Sequence, residues 1–229
     1  ILRTLCGFSV AEIAKAFVTG YDTIEKRLTR ARQSFRDNHV QFELPAATEL
    51  DIRLDNVLLA IYLLFNEGYN STQHEDLIRK DLMHEAMQLC QLILRSPAVD
   101  HGKVHALMAL ICFTASRNEA RLDADGHILL LKDQDRGKWN ATLISKGIFH
   151  LEESTSGDQM SKYQLEAGIA YEHARAASYA STNWKNILQC YDLICRFYPS
   201  PIVELNRAIA ISELHGPAEG IKAIEGIAQ

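Results

Sequence analysis

The chain has 229 residues, 47% of them hydrophobic and 23% charged, which is a globular composition with material for one large domain or two modest ones and excludes an intrinsically disordered chain. No run approaches the roughly 18 apolar residues of a membrane-spanning helix, and five cysteines without a C-x-x-C pair argue against a disulfide framework or a structural zinc site and for a reducing cytoplasm. The net charge of −5 is uneven: residues 1–37 carry seven Lys or Arg against four acids (+3), and the rest carries seventeen against twenty-five (−8), a small basic module ahead of a large acidic one.

In chain order, Ser9 with Glu12 three residues later forms a capping box, and Val10, Ile13, Ala14 and Phe17 follow at helical spacing. Thr19-Gly20-Tyr21 breaks this helix, with Gly20 supplying the positive φ of a tight turn. Asp22 or Thr23 is expected to cap a second helix with the apolar stripe Ile24, Leu28, Ala31 and Phe35, which completes a helix-turn-helix over residues 1–37. Residues 38–47, with Pro45, lack periodicity and read as a linker. Thr48 or Asp51 then starts a helix through Leu54, Val57, Leu58, Ile61 and Phe65, ended by Gly68 as its C′ glycine.

Further helices are predicted at about 73–95, 102–116, 138–153, 162–180, 183–197, 201–215 and 218–228. Between them, Ala120 to Leu131 places two short extended runs around Asp123-Ala-Asp-Gly126, a β-hairpin signal. Trp184, Tyr191, Ile194 and Pro199, then Asn206, Ala208 and Gly216, are spaced like tetratricopeptide (TPR) units, although Ile187 stands where a small residue belongs. The predicted fold is all-α: a helix-turn-helix at 1–37, a linker at 38–47, and over 48–229 a TPR-like array of helical hairpins with one small β-hairpin.

On the second helix, Thr23, Glu25, Lys26, Arg27, Arg30 and Arg32 are expected to point away from the apolar stripe. The second helix of such a motif enters the major groove, where Thr, Glu, Lys and Arg near its start meet base edges and later arginines meet phosphates. Asp133-Gln134-Asp135-Arg136 precedes an expected helix near Lys138-Trp139; Asp133 or Asp135 caps it, and Arg136 bridges an acid such as Glu67 or Asp135. Asn66 and Glu67 are polar groups in an apolar helix. These six residues form a candidate interaction motif, weighed against helix capping and buried hydrogen bonding.

Asp123 to Gly126 resembles a calcium loop, but that frame puts Arg121 and Lys132 at ligand positions, so a turn is expected. His101 and His105 have ligand spacing without the Glu of a metalloprotease, and Gln88 stands where His84-Glu85 would need a second histidine. No phosphate loop or nucleophile elbow occurs. No metal, cofactor or enzymatic activity is expected.

Leu5 to Phe17 and then Thr23-Ile-Glu-Lys-Arg-Leu-Thr-Arg-Ala-Arg32 resemble the promoter-recognising carboxy-terminal region of sigma-70-family factors. Tyr62-Leu-Leu-Phe-Asn-Glu-Gly-Tyr69, Asp123 to Arg136 and Pro199-Ser-Pro-Ile-Val-Glu-Leu-Asn-Arg207 resemble a subgroup of extracytoplasmic-function sigma factors with a long helical carboxy-terminal extension. The family's turn often reads Asp-Gly-Gly or Asp-Gly-Asp where this chain has Gly126-His127. The resemblance implies a factor whose helix-turn-helix recognises the −35 promoter element while bound to RNA polymerase core. It also implies an extension that regulates or supports initiation, with a possible contact of that extension back on the helix-turn-helix. The chain opens at Ile1 inside the promoter-recognition region and is expected to be a carboxy-terminal portion. The alternative is a cytoplasmic helical scaffold whose front module docks on protein.

Overall fold

The computed structural model describes residues 1–39, 45–71, 78–156 and 160–227. The centre of the predicted linker, the predicted helix start at Gln73, the last residue of the predicted terminal helix (Ala228), and the side chains of the expected caps Thr48 and Asp51 lie outside the described residues. Among those described, the chain is all-α, with ten α-helices and no strand. It divides into two compact units, Ile1–Asp100 and His101–Gln229, so the segment read as one extension contributes to both.

In the first unit, α1 (Val10–Ala16) starts on the predicted capping box, with Glu12 N–H donating to Ser9 Oγ at 3.1 Å and Ser9 N–H to Glu12 Oε2 at 2.5 Å. The turn into α2 (Tyr21–Asp37) differs from the expected one. Gly20 has φ −72° and is the N-cap, with no side-chain capping bond from Asp22 or Thr23, and the positive φ falls on Val18 at 48°. α3 (Ala47–Tyr69) buries Leu54, Leu58, Ile61 and Phe65, and packs on α4 (Lys80–Ile93), which buries Met83, Ala86 and Cys90. Gly68 does not end α3. It lies one residue inside, where a Cβ would stand 2.8 Å from Met83 Cγ and 2.9 Å from the Arg79 carbonyl, so glycine is required for close approach.

The second unit is organised by α5 (His101–Ala115), which is buried on every side from Ala106 to Phe113, as that apolar run demands, while His101, Lys103 and His105 in its first turns are half-buried. It packs against α6 (Ala141–Glu153) and α7 (Lys162–Arg175); α8 (Trp184–Phe197), α9 (Pro201–His215) and α10 (Pro217–Ile227) then each pack on the helix before. Ile187 and Ile194 are the fully buried anchors of this layer, with Trp184 and Tyr191 packed partly buried beside them. The predicted hairpin is reduced to a single antiparallel bridge, Leu122 with Ile128, around a turn in which Gly126 has φ 83°. Ile128 and Leu130 are 52% and 63% exposed, so no buried face rewards a longer ladder.

Candidate functional site

The helix-turn-helix is held by Phe8, Ile13, Ala14 and Ile24, each less than a tenth exposed, and by Arg3, whose Nη1 donates to the Phe8 carbonyl at 2.8 Å. Thr23, Glu25, Lys26, Arg27, Arg30 and Arg32 are all exposed on α2. They do not share one face. Lys26 and Arg30 lie opposite Ile24, with Thr23 beside them. Arg27 is three residues after Ile24 and four before Ala31, and Arg32 is four after Leu28, so helical periodicity sets these two at the edges of the apolar stripe. Both line a cavity of about 790 Å³ bounded by α1, α2 and α3, whose walls include Phe17, Leu28, Phe35, Val57 and Leu63. The expectation that all six point away from the stripe is therefore corrected for Arg27 and Arg32.

The segment 133–136 is built into the second unit through Arg136. Its Nη1 donates to the carbonyls of His173 at 2.5 Å and Ala176 at 2.8 Å, so a guanidinium closes the end of α7, and α7 stops at Arg175 rather than continuing to Ala180. The guanidinium lies 4.6 Å over the Trp139 ring, and Arg117 approaches the same ring at 5.9 Å. Arg136 thus binds carbonyls and an indole rather than bridging Asp135, and Glu67, the other acid expected as its partner, belongs to the other compact unit. Asp135 caps only the short 3-10 turn Arg136–Lys138, accepting from Gly137 N–H at 2.9 Å, and α6 begins at Ala141 with Asn140 as its cap. Asp133 ends a 3-10 turn and is exposed, and Gln134 Nε2 donates to the Leu129 carbonyl at 3.2 Å. Burial, reinforced by the charges of Arg117 and Arg136, pushes His173 down to about 4, so its imidazole is neutral at pH 7.

Glu67 is buried in the first unit and accepts from Ser71 Oγ at 3.2 Å, while Asn66 is half-buried on the same helix. Asn66 and Glu67 therefore belong to a different compact unit from Asp133–Arg136. In the second unit, Arg207 Nε donates to Asp192 Oδ1 at 2.6 Å and ties α9 to α8.

One constellation is not legible in the linear sequence. His105 Nδ1 lies 2.8 Å from His150 Nδ1, joining α5 to α6 across 45 positions. Burial pushes His150 down to about 4, with His105 and Lys146 acting in the same direction. His105 is lowered by burial against the opposing charge of Glu153, with His101 lowering it further. The His101–His105 spacing is the only sequence signal of this cluster. Asp123, Asp125 and His127 also converge on the exposed turn predicted there; Asp123 Oδ1 accepts from the N–H groups of Asp125 and His127.

A family of unknown function (DUF6596) matches residues 53–155, from within α3 to just beyond α6. An uncharacterized protein of Rhizobium meliloti (strain 1021) is 37% identical over 229 residues, which is 100% of this chain and 54% of that protein. The chain thus spans about half the length of the curated relative it matches. No solved structure matches it.

Proposed function

We propose that the chain is a portion of an extracytoplasmic-function sigma factor, in which α2 reads the −35 promoter element while the protein is bound to RNA polymerase core in the cytoplasm. The observation that carries this reading is the two-sided character of α2. Ile24, 4% exposed, anchors one side to α1, and Lys26, Arg30 and Thr23 stand on the solvent side of a basic module. An anchored helix with exposed cations opposite its anchor is the arrangement that a major groove and its phosphates accept. The motifs shared with sigma factors supply the substrate class, and no described helix is long and apolar enough to cross a membrane.

In this reading the extension, residues 48–229, regulates or supports initiation. Asp133 and Asp135, exposed at the edge of the Arg136 knot, are the members of that segment available to a partner surface. The test is promoter binding by full-length protein with RNA polymerase core. Lys26→Ala and Arg30→Ala together should weaken it several-fold and flatten the salt dependence, by about 0.9 in the log–log slope for each phosphate that the protein no longer neutralises. Unchanged affinity and slope would overturn the assignment of α2 as reader.

A second reading has its own observation. The apolar cavity beside α2, with Arg27 and Arg32 on its margin, has the character of a protein-docking groove rather than a DNA contact. A front module that docks on protein would lose partner binding on Leu28→Asp and keep it on Lys26→Ala.

A further inference from the structure

The cavity bounded by α1, α2 and α3 lies within the first unit. α1 packs on both α2 and α3, whereas α2 and α3 face each other across about 790 Å³ of open space. That volume falls in the range of small-ligand sites, about 300–1,000 Å³. Phe17 and Phe35 on one side, and Val57 and Leu59 on the other, are between 37% and 54% exposed, so the walls present apolar surface to solvent. The charged side chains on those walls are Arg3, Arg27, Arg32 and Arg53, with no acid among the described lining residues, in a chain whose net charge is −5. Arg3 donates to the Phe8 carbonyl and Arg53 pairs with Glu49 at 3.1 Å, whereas Arg27 and Arg32 form no ion pair with a described acid.

We propose that this cavity binds a small amphipathic acid of the fatty-acid class, with its carboxylate at the arginine margin and its alkyl chain between α2 and α3. The walls are mainly helices, whose backbone groups are used within the helix, so an occupant meets side chains. An alkyl chain needs nothing more, whereas an extended peptide would bury N–H and C=O groups without partners. A guanidinium takes a carboxylate through two parallel hydrogen bonds, and an apolar pocket with a few polar groups that fix orientation is the usual form of a small-ligand site. Thr4 and Asn56 are the neutral polar side chains on the lining. Lys26 and Arg30 are not on it, so ligand and DNA use different sides of α2.

The experiment is calorimetric titration of dodecanoate, below its micelle concentration, into the full-length protein and into the 229-residue chain. The expected result is one equivalent bound by each. Dodecanol, which lacks the charge, should bind about tenfold weaker or worse. Decanoate, shorter by two methylenes, should also lose about tenfold or more. Arg27→Gln together with Arg32→Gln should weaken dodecanoate binding by about tenfold, and Val57→Asp, at a partly exposed position, should abolish it by placing a carboxylate in the cavity. Absence of saturable binding, equal affinity for dodecanol, or unchanged binding by Val57→Asp would each overturn the site. Binding by the 229-residue chain but not by the full-length protein would show that the rest of the polypeptide fills the cavity, and a ligand-free dimer that Val57→Asp dissociates would show a second copy there; either result overturns the assignment. The native titrations with dodecanoate and dodecanol decide the matter even if a variant fails to fold, and their failure leaves α2 as the promoter reader untouched, since Lys26 and Arg30 do not line the cavity.

Discussion

Arg136 Nη1 donates to the carbonyl of His173, 37 positions away, and the same nitrogen reaches the carbonyl of Ala176. The last carbonyls of α7 have no partner within the helix, and a planar cation held over Trp139 is placed to take two of them. Arg136→Lys keeps the charge but loses the planar group that stacks on the indole while Nη1 reaches both carbonyls. It should lower the stability of residues 101–229 by about 2 kcal/mol, on the scale of a charge-assisted hydrogen bond. Chemical denaturation followed by the fluorescence of Trp139 and Trp184, both in this unit, checks this, and an unmoved midpoint would show that the clamp contributes nothing.

His173, beside this clamp, predicts a pH dependence. An unfolded histidine titrates near 6.5, whereas folding pushes His173 down to about 4. Above pH 6.5 neither state carries the proton and the stability is complete. As pH falls from about 6.5 toward 4, the unfolded chain takes up a proton that the fold refuses, so stability is lost. Near pH 5, His173→Phe should reduce the number of protons taken up on unfolding by about one, read from the pH dependence of the melting midpoint. An unchanged slope would contradict the assignment of His173 as neutral and buried.

Two glycines test the packing with opposite signs. Replacing a helical glycine by alanine ordinarily gains about 1 kcal/mol. At Gly147 a Cβ would stand 2.6 Å from the Phe113 ring, so the ring must move, and overpacking of this kind costs about 1–3 kcal/mol. Gly147→Ala should therefore be neutral to destabilising. Gly226 on α10 has nothing within 4 Å of its Cβ position, so Gly226→Ala should stabilise or leave the midpoint unchanged. Reversal of this order in thermal melts would show that α6 does not lie against α5 as described.

Val18 carries the positive φ of the helix-turn-helix, a conformation that a β-branched side chain resists, and it is 77% exposed, so it contributes little packing. Val18→Gly should raise the stability of the first unit by about 1 kcal/mol, the strain relieved exceeding the added flexibility of the unfolded chain. A lower melting temperature for Val18→Gly would show that the turn is held by that side chain.

What is readable in the sequence is local. The Ser9–Glu12 box and the apolar stripe of α3 follow from residues within a turn or two of one another. The departures share a different cause. Gly68 carries the signature of a helix end, yet its role is set by Met83 and Arg79, which are distant from it in the sequence. Gly20 is the obvious residue for a positive φ, but the hydrogen bonds closing the turn, Val18 to Lys15 and Thr19 to Ala14, put that conformation on Val18. The acids near Arg136 suggest a carboxylate partner, whereas it meets carbonyls that only the packing of α7 brings near. The His105–His150 contact depends on the register of α5 against α6, which no spacing along the chain encodes.

The most direct measurement is the salt dependence of binding of the full-length protein, with RNA polymerase core, to promoter DNA carrying its −35 element, for the native protein and for Lys26→Ala with Arg30→Ala. The account predicts weaker binding in the double variant and a log–log salt slope shallower by about 0.9 for each phosphate left without its cation. An identical slope and affinity in a correctly folded, polymerase-bound variant would contradict it, and α2 would then not be the surface that meets DNA.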